Sequence, residues 1–76
     1  MKTPPDKRSR HFVAQRVLAL RKLHGWRQED LAAHAGITRT SIGFIEGEKR
    51  GVGIDLLGRI ASAFGMTIQQ FFCDKK

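Results

Sequence analysis

The spacing of small and apolar residues between Gln28 and Ile45 limits what this chain can fold into more than any other feature. Ala32 lies where a larger side chain would hold two helices apart, and Gly36 follows where a tight turn requires a positive φ angle. Ile42 and Ile45 lie three residues apart and therefore share one face of a second helix. The pattern predicts two short helices, packed together and joined by a turn at Gly36.

Apolar periodicity in the rest of the sequence adds three helices to this pair. Ser9 is a good N-cap for the first of them, Thr38 caps the third, and Gly47 is expected to end the third. The five predicted helices cover about 9–23, 28–34, 39–46, 54–64 and 68–72. Their buried faces are predicted to hold Val13, Val17, Leu20, Leu31, Ala32, Ala35, Ile42, Ile45, Leu57, Ile60, Ala61, Phe64 and Phe71. Alternation typical of strands is absent, so the predicted fold class is all-α, with five helices.

The positive charge is concentrated at one end of the chain. A sequence of 76 residues has room for one small domain, which we place at residues 9–76, after a flexible basic arm of residues 1–8. Residues 1–27 carry eight Lys and Arg side chains but one acidic residue, whereas residues 28–76 carry six of each sign. The net charge of +7 therefore lies in the arm and the first helix, which favours a polyanionic partner.

Several classes of protein are disfavoured by what the sequence lacks. A single cysteine, Cys73, cannot form an intramolecular disulfide, and no Cys/His cluster has the spacing of a zinc site. We find no Ser/His/Asp set, no paired carboxylates and no phosphate-binding glycine loop, and His11, His24 and His34 are scattered enough to be plain surface groups. No apolar run approaches the roughly 20 residues of a membrane span. We therefore expect a cytoplasmic protein that is not an enzyme, with no metal or other cofactor.

From Val17 to Phe72 the chain resembles the Cro/CI-type (XRE-type) helix-turn-helix family, the lambda-repressor-like DNA-binding domains. The resemblance is carried by Arg21, Gln28-Glu29-Asp30-Leu31-Ala32, Gly36-Ile37-Thr38, Ile42, Ile45-Glu46 and the series Ile54, Leu57, Ala61, Phe64-Gly65. It implies that the third helix enters the major groove of double-stranded DNA. Members of this length include restriction–modification controller proteins, small phage repressors and some antitoxins.

Three residues of the third helix are predicted to contact bases. Arg39 and Thr40 form its first turn, and an arginine can donate two hydrogen bonds to guanine O6 and N7. A positive charge is unfavourable beside a helix N-terminus, so Arg39 is better explained by a role outside the fold. Phe44 lies one turn further on, where its ring could touch a thymine methyl group or else be tucked toward the core.

Further roles follow from the basic residues and from the family resemblance. The candidates for DNA phosphate contacts are Gln28, Ser41, Lys49 and Arg50. The resemblance also implies that Gln28 braces Arg39, and that Arg21 and Glu46 form an ion pair linking the first helix to the end of the third.

Surplus apolar residues at the end of the chain suggest self-association. Leu56, Phe71 and Phe72 exceed what a core of this size can hide; we assign Phe71 to the core, and Leu56 and Phe72 to a dimer interface. The resemblance implies a homodimer, formed through the fourth and fifth helices, that binds a near-palindromic operator.

The chain departs from the family pattern at three places. Arg27 replaces the usual Ser or Thr cap before the second helix, which is expected to weaken that helix start by about 1 kcal/mol. The sequence 51–53 is Gly-Val-Gly, which leaves the cap of the fourth helix to a glycine. Gly43 lies inside the third helix, at a cost of about 1 kcal/mol relative to alanine.

Three functions remain open on the sequence. The first is a sequence-specific, homodimeric transcriptional regulator. The second is an antitoxin whose fourth and fifth helices hold a toxin, with DNA binding secondary. The third is a non-specific nucleic-acid or RNA binder that relies on the basic arm.

Overall fold

The computed structural model describes residues 7–72, and the side chains of residues 10–72. Over these residues the chain forms five helices and no strand, as predicted: α1 (Lys7–His24), α2 (Gln28–Ala35), α3 (Arg39–Glu46), α4 (Ile54–Ala63) and α5 (Ile68–Phe72). Most of the predicted basic arm, residues 1–6, lies outside the described residues, as does Cys73.

The first helix is longer than the sequence analysis predicted. It begins at Lys7, so Ser9 lies inside α1 and is not its N-cap. Lys and Arg are strong helix formers, and they extend the helix by one half-turn beyond the first serine. At the other boundaries the differences are a single residue, since α2 continues to Ala35 and α4 ends at Ala63.

The core is built from one face of each helix. Helix α1 packs against α3, α3 against α2, α2 against α4, and α4 against α5. Every residue that the periodicity assigned to the core is buried, and the largest fully buried side chains are Phe71, Leu31, Ile42, Ile45, Ile60 and Val17. The small residue Ala32 of α2 lies in this core, as the spacing of small and apolar residues between Gln28 and Ile45 predicts. Over the described part of the chain, no helix has both the length and the hydropathy needed to cross a membrane.

Four of the helices end in the same backbone motif. In each, a residue at the C-cap or directly after it is left-handed, and the next N–H bonds back to a carbonyl five residues earlier, for example Ile37 N to Ala32 O at 3.0 Å. Glycine occupies the left-handed position after α1, α2 and α4, where it adopts positive φ without steric penalty. After α3 the helix ends at Glu46 with Gly47 as its C-cap, as predicted, but Gly47 has a φ of −86° and the left-handed residue is Glu48, with φ 60°.

The start of α2 is better stabilised than its sequence suggested. Arg27 offers no capping side chain, but its own N–H donates to Asp30 Oδ2 at 2.8 Å. This contact is half of a capping box, and it also places a carboxylate at the positive end of the helix. At α3 the cap is the expected one, because Thr38 Oγ1 accepts the Ser41 N–H at 3.1 Å. Gly53 caps α4 without a side chain, as the sequence implied.

The three histidines are exposed, as expected of surface groups, but each of them also makes a specific contact that the sequence did not predict. His34 stacks on Trp26 with ring centroids 4.2 Å apart, and His24 packs against the same indole at 4.8 Å. Phe64 stacks on Trp26 at 5.4 Å, so this ring joins the ends of α1, α2 and α4. His11 makes a separate contact, described below. The sequence did not predict these contacts, because the partners lie on different helices and meet only when the helices pack.

Candidate nucleic-acid interface

Helix α3 presents one face that the core does not use. Ile42 and Ile45 are buried, so at about 100° per residue the opposite side carries Thr40, Gly43, Phe44 and Gly47. We call these four residues the outer face of α3. Thr40 is exposed, Phe44 is 41% exposed, and the two glycines add no side chain. This face is therefore open to a large partner.

Arg39 stands at the first turn of α3 in a defined position. Its side chain is exposed, yet Nη1 donates to Gln28 Oε1 at 3.0 Å. Gln28 is the first residue of α2, so the contact joins the beginnings of the two short helices. One donor group of the guanidinium is thus used for positioning, and a guanidinium has further N–H donors for an external ligand.

Gln28 in turn contacts Glu46 at the far end of α3. Its Nε2 donates to Glu46 Oε1 at 3.0 Å. The chemistry permits one orientation of this amide: a carboxylate can only accept and a guanidinium can only donate, so the amide nitrogen must face Glu46 and the oxygen must face Arg39. The amide of Gln28 thus satisfies both neighbours at once, as a donor to Glu46 and an acceptor from Arg39.

Arg21 completes this connected set from α1. Its Nε and Nη2 donate to the two carboxylate oxygens of Glu46 at 2.7 and 3.0 Å, which is a bidentate pair. Its remaining Nη1 donates to the Trp26 carbonyl oxygen at 2.9 Å. The two side chains are only 15% and 10% exposed. Because both charges are largely desolvated, separating the end of α3 from α1 would leave each charge without its partner in a poorly hydrated place, which is unfavourable.

The connection from α3 to α4, residues 47–53, carries two of the predicted phosphate contacts. Lys49 and Arg50 are both exposed there. The loop contacts α1 here, because His11 Nδ1 lies 2.8 Å from Oε2 of the left-handed Glu48. Arg10 lies beside the same loop, with its Nε 3.9 Å from the position a Cβ would take at Gly51.

Arg50 also contacts the outer face of α3. Its guanidinium carbon lies over the Phe44 ring, 5.1 Å from the ring centroid. Sequence reasoning assigned these residues to different roles and gave no sign that they meet. The six-residue spacing does not place two side chains on one helix face, so the contact depends on the turn at Glu48.

The other predicted contacts are placed differently. Ser41 is half-buried, and its hydroxyl lies 3.0 Å from Thr38 Oγ1, within the cap of α3. Leu56 is half-buried and packs against the core, so part of its apolar surface is already used within the chain. Phe72 is 43% exposed and stacks on Phe12 of α1 with centroids 5.6 Å apart. Phe12, itself 37% exposed, was missed by the sequence analysis.

Two sets of contacting side chains thus lie next to the exposed side of α3. One is the hydrogen-bonded series Arg21, Glu46, Gln28 and Arg39, and the other is the stacked pair of Phe44 and Arg50. Among the described side chains, no group of three or more His, Cys, Asp or Glu residues could hold a metal ion. The arrangement is suited to binding a surface that offers anionic groups and hydrogen-bond acceptors.

Comparison with known proteins identifies the same region of the chain. A family model described as helix-turn-helix matches residues 17–71. No curated protein sequence gives a significant match.

Several solved structures have this fold. A hypothetical transcription factor, NHTF, from Neisseria is 26% identical with a TM-score of 0.80, over 96% of this chain and 85% of that one. The restriction-modification controller protein C.AhdI from Aeromonas hydrophila is 28% identical with a TM-score of 0.78, over 83% and 96%. A mutant of the restriction-modification controller protein C.Esp1396I is 30% identical with a TM-score of 0.77, over 83% and 82%.

Proposed function

Because the chain belongs to the Cro/CI-type helix-turn-helix family of DNA-binding transcriptional regulators, we propose that it binds a near-palindromic operator as a homodimer. In this proposal each subunit inserts α3 into the major groove, and the two recognition helices occupy successive turns of the duplex. Arg39, Thr40 and Phe44 contact base edges, while Gln28, Ser41, Lys49 and Arg50 lie along the phosphates.

The observation that best supports this function is the bracing of Arg39. An exposed arginine loses side-chain entropy when it is held in one conformation, and its charge is unfavourable at the N-terminus of α3. Nevertheless Gln28 holds it at 3.0 Å and is itself held by Glu46. A donor fork fixed in this way is suited to the paired acceptors of guanine, where one correct contact is worth about 1–3 kcal/mol of discrimination.

The predicted phosphate contacts lie on both sides of this arginine along the chain. Gln28 opens α2, whose first N–H groups point out of the helix and can bind an anion. Lys49 and Arg50 follow α3 on a loop that His11 and Glu48 hold against α1. Contacts from two elements to the backbone would fix the orientation of α3 in the groove.

The homodimer is proposed on the exposed aromatic residues of the last helix. Phe72 remains 43% exposed although it stacks on Phe12, and half-buried Leu56 adds apolar surface on α4. A second copy that covers these residues would remove apolar area from water twice, once on each subunit.

The experiment that tests this function is a selection of binding sites from a random duplex pool, followed by titration of the selected site. We expect an enriched, near-palindromic sequence that is bound at least about a thousandfold more tightly than random duplex of the same length. Sedimentation of the complex is expected to give two protein chains per duplex.

Two results would contradict the proposal. Equal affinity for selected and random duplexes would favour a non-specific nucleic-acid binder. Recovery of a stoichiometric, unrelated protein together with an unenriched pool would favour the antitoxin alternative.

A further inference from the structure

We propose that Phe44 recognises the C5-methyl group of a pyrimidine in the major groove, and that Arg50 holds the Phe44 ring for this contact. The inference rests on the proposed DNA-binding function and names the chemical group that the second turn of α3 reads. Its starting point is that 41% of Phe44 is exposed on a helix whose other large apolar residues, Ile42 and Ile45, are buried.

The Phe44 ring is the largest side chain on the outer face of α3. Thr40 lies one turn before Phe44, and the other two positions of the face are glycines. A Cβ added at Gly43 would meet nothing within 4 Å, so nothing inside the chain requires a glycine there. Glycine in a helix costs about 1 kcal/mol relative to alanine, a cost that close approach of another molecule would explain. A partner on this face therefore meets the Phe44 ring as its one large side chain.

Arg50 limits the movement of the ring. Its guanidinium covers one face of Phe44 at 5.1 Å from the centroid, the distance of a cation–π contact. The ring is thereby kept on the outer face, where 41% of Phe44 remains exposed to a partner. The same guanidinium places a positive charge at the border of that face, where the DNA backbone would pass.

The chemistry of the major groove then selects the group that Phe44 can contact. Most groups on the base edges are hydrogen-bond donors or acceptors, and an apolar ring placed over them would remove their water without replacing it. The exception is the methyl group at C5 of thymine. Because 5-methylcytosine carries the same group on the same ring carbon, Phe44 is expected to respond to the methyl group and not to the identity of the base.

Uracil substitution tests this proposal directly, since uracil lacks the C5-methyl group but pairs as thymine does. The probe is the duplex selected from the random pool, with its thymines replaced by uracil one at a time. We expect one position in each half-site at which the replacement weakens binding by about fourfold, the effect of about one methylene equivalent of apolar burial. At that position a 5-methylcytosine·guanine pair is expected to bind more tightly than a cytosine·guanine pair.

Variants of the protein assign the effect to its source. Phe44→Ala is expected to bind the thymine and uracil duplexes equally, and Arg50→Gln to reduce the difference between them. Lys49→Gln is the matched control, because Lys49 is an exposed cation on the same loop. It is expected to weaken binding to both duplexes alike and to keep the thymine preference.

Each contrary result contradicts one identifiable part of the proposal about Phe44 and Arg50. A wild-type protein that is indifferent to every uracil replacement overturns the proposal, while sequence-specific binding of the selected duplex stands. A full thymine preference in Phe44→Ala overturns the role of Phe44, and a full preference in Arg50→Gln overturns the role of Arg50. If the pool yields no preferred duplex, the proposed function fails and this inference fails with it.

Discussion

Gln28 Oε1 accepts a hydrogen bond from Arg39 Nη1 at 3.0 Å, while the nitrogen of the same amide donates to Glu46. One uncharged side chain therefore links the arginine at the start of α3 to the carboxylate at its end. The position of Arg39 is determined by residues of α1, α2 and α3 together, since Arg21 holds Glu46.

Replacing Arg39 by alanine is expected to change sequence preference, because the guanidinium would bind one guanine in each half-site. Affinity for the selected duplex should fall by about 1–3 kcal/mol, and the preference at one base pair per half-site should relax. Lys49→Ala is the comparison: it should weaken selected and random duplexes alike and reduce the salt dependence by about one unit of slope. Titrations against matched and mismatched duplexes measure both. Equal weakening for all sequences in Arg39→Ala would make Arg39 a phosphate contact.

Gln28→Ala is expected to weaken DNA binding through Arg39, which would then have to be ordered when the complex forms. The prediction is an interaction energy of about 0.5–3 kcal/mol between Gln28→Ala and Arg39→Ala in a double-mutant cycle of DNA affinity. If the two losses simply add, Gln28 does not act through Arg39.

The pair of Arg21 and Glu46 is expected to stabilise the fold, because removing one partner leaves a desolvated charge. Arg21→Ala or Glu46→Ala should lower the free energy of unfolding by up to about 3–5 kcal/mol in urea denaturation. The exposed pair of Arg27 and Asp30, with nitrogen and oxygen 3.8 Å apart, is the internal control. Arg27→Ala should cost less than about 1 kcal/mol. Urea midpoints of all three variants equal to wild type would show that the pair has no bracing role.

Phe72→Lys is expected to weaken the dimer, because a charge would be placed in apolar surface that a second copy covers. Sedimentation at micromolar concentration should give about twice the 8.6 kDa chain mass for wild type and a smaller mass for the variant. Leu23→Lys provides the control, since Leu23 is 78% exposed on α1 and is not part of the proposed interface. A wild-type protein that stays monomeric at millimolar concentration would contradict the dimer.

Gly43→Ala is expected to move stability and DNA binding in opposite directions. The added methyl group meets nothing within 4 Å and removes a helix-interior glycine, so unfolding should cost up to about 1 kcal/mol more. The same methyl group lies on the outer face of α3 and should lower the affinity for the selected duplex. Thermal melting and duplex titration of one preparation test both effects. Unchanged affinity would show that DNA does not approach α3 closely at this position.

The parts of the fold that local pattern controls were predictable. Val13, Val17 and Leu20 recur at the helical period and are buried, as are Leu57 and its partners on α4. Gly36 also marked the end of α2 correctly, because a left-handed residue is needed there. Such features depend on neighbours within one or two helical turns.

Contacts between distant residues were not predictable in the same way. Nothing in the spacing of His34 and Trp26 indicates a stacked pair, and nothing in Arg50 indicates that it lies over Phe44. The end of α3 shows the reason: Gly47 was the obvious terminator by residue type, yet Glu48 takes the left-handed conformation while His11 contacts its carboxylate. Packing between helices determines these contacts and the conformation of Glu48, and a local sequence pattern carries no information about that packing.

The amide bridge at Gln28 also constrains how a new base preference could evolve. Substituting Arg39 alone leaves the Gln28 oxygen without the guanidinium it faces, and substituting Gln28 alone leaves Glu46 with one donor fewer. A change of preference at that base pair therefore costs least binding and folding free energy when positions 28 and 39 are substituted together. Phe44 is not part of this hydrogen-bonded series. Changes in operator sequence are therefore expected to be tolerated first at the bases that face the second turn of α3.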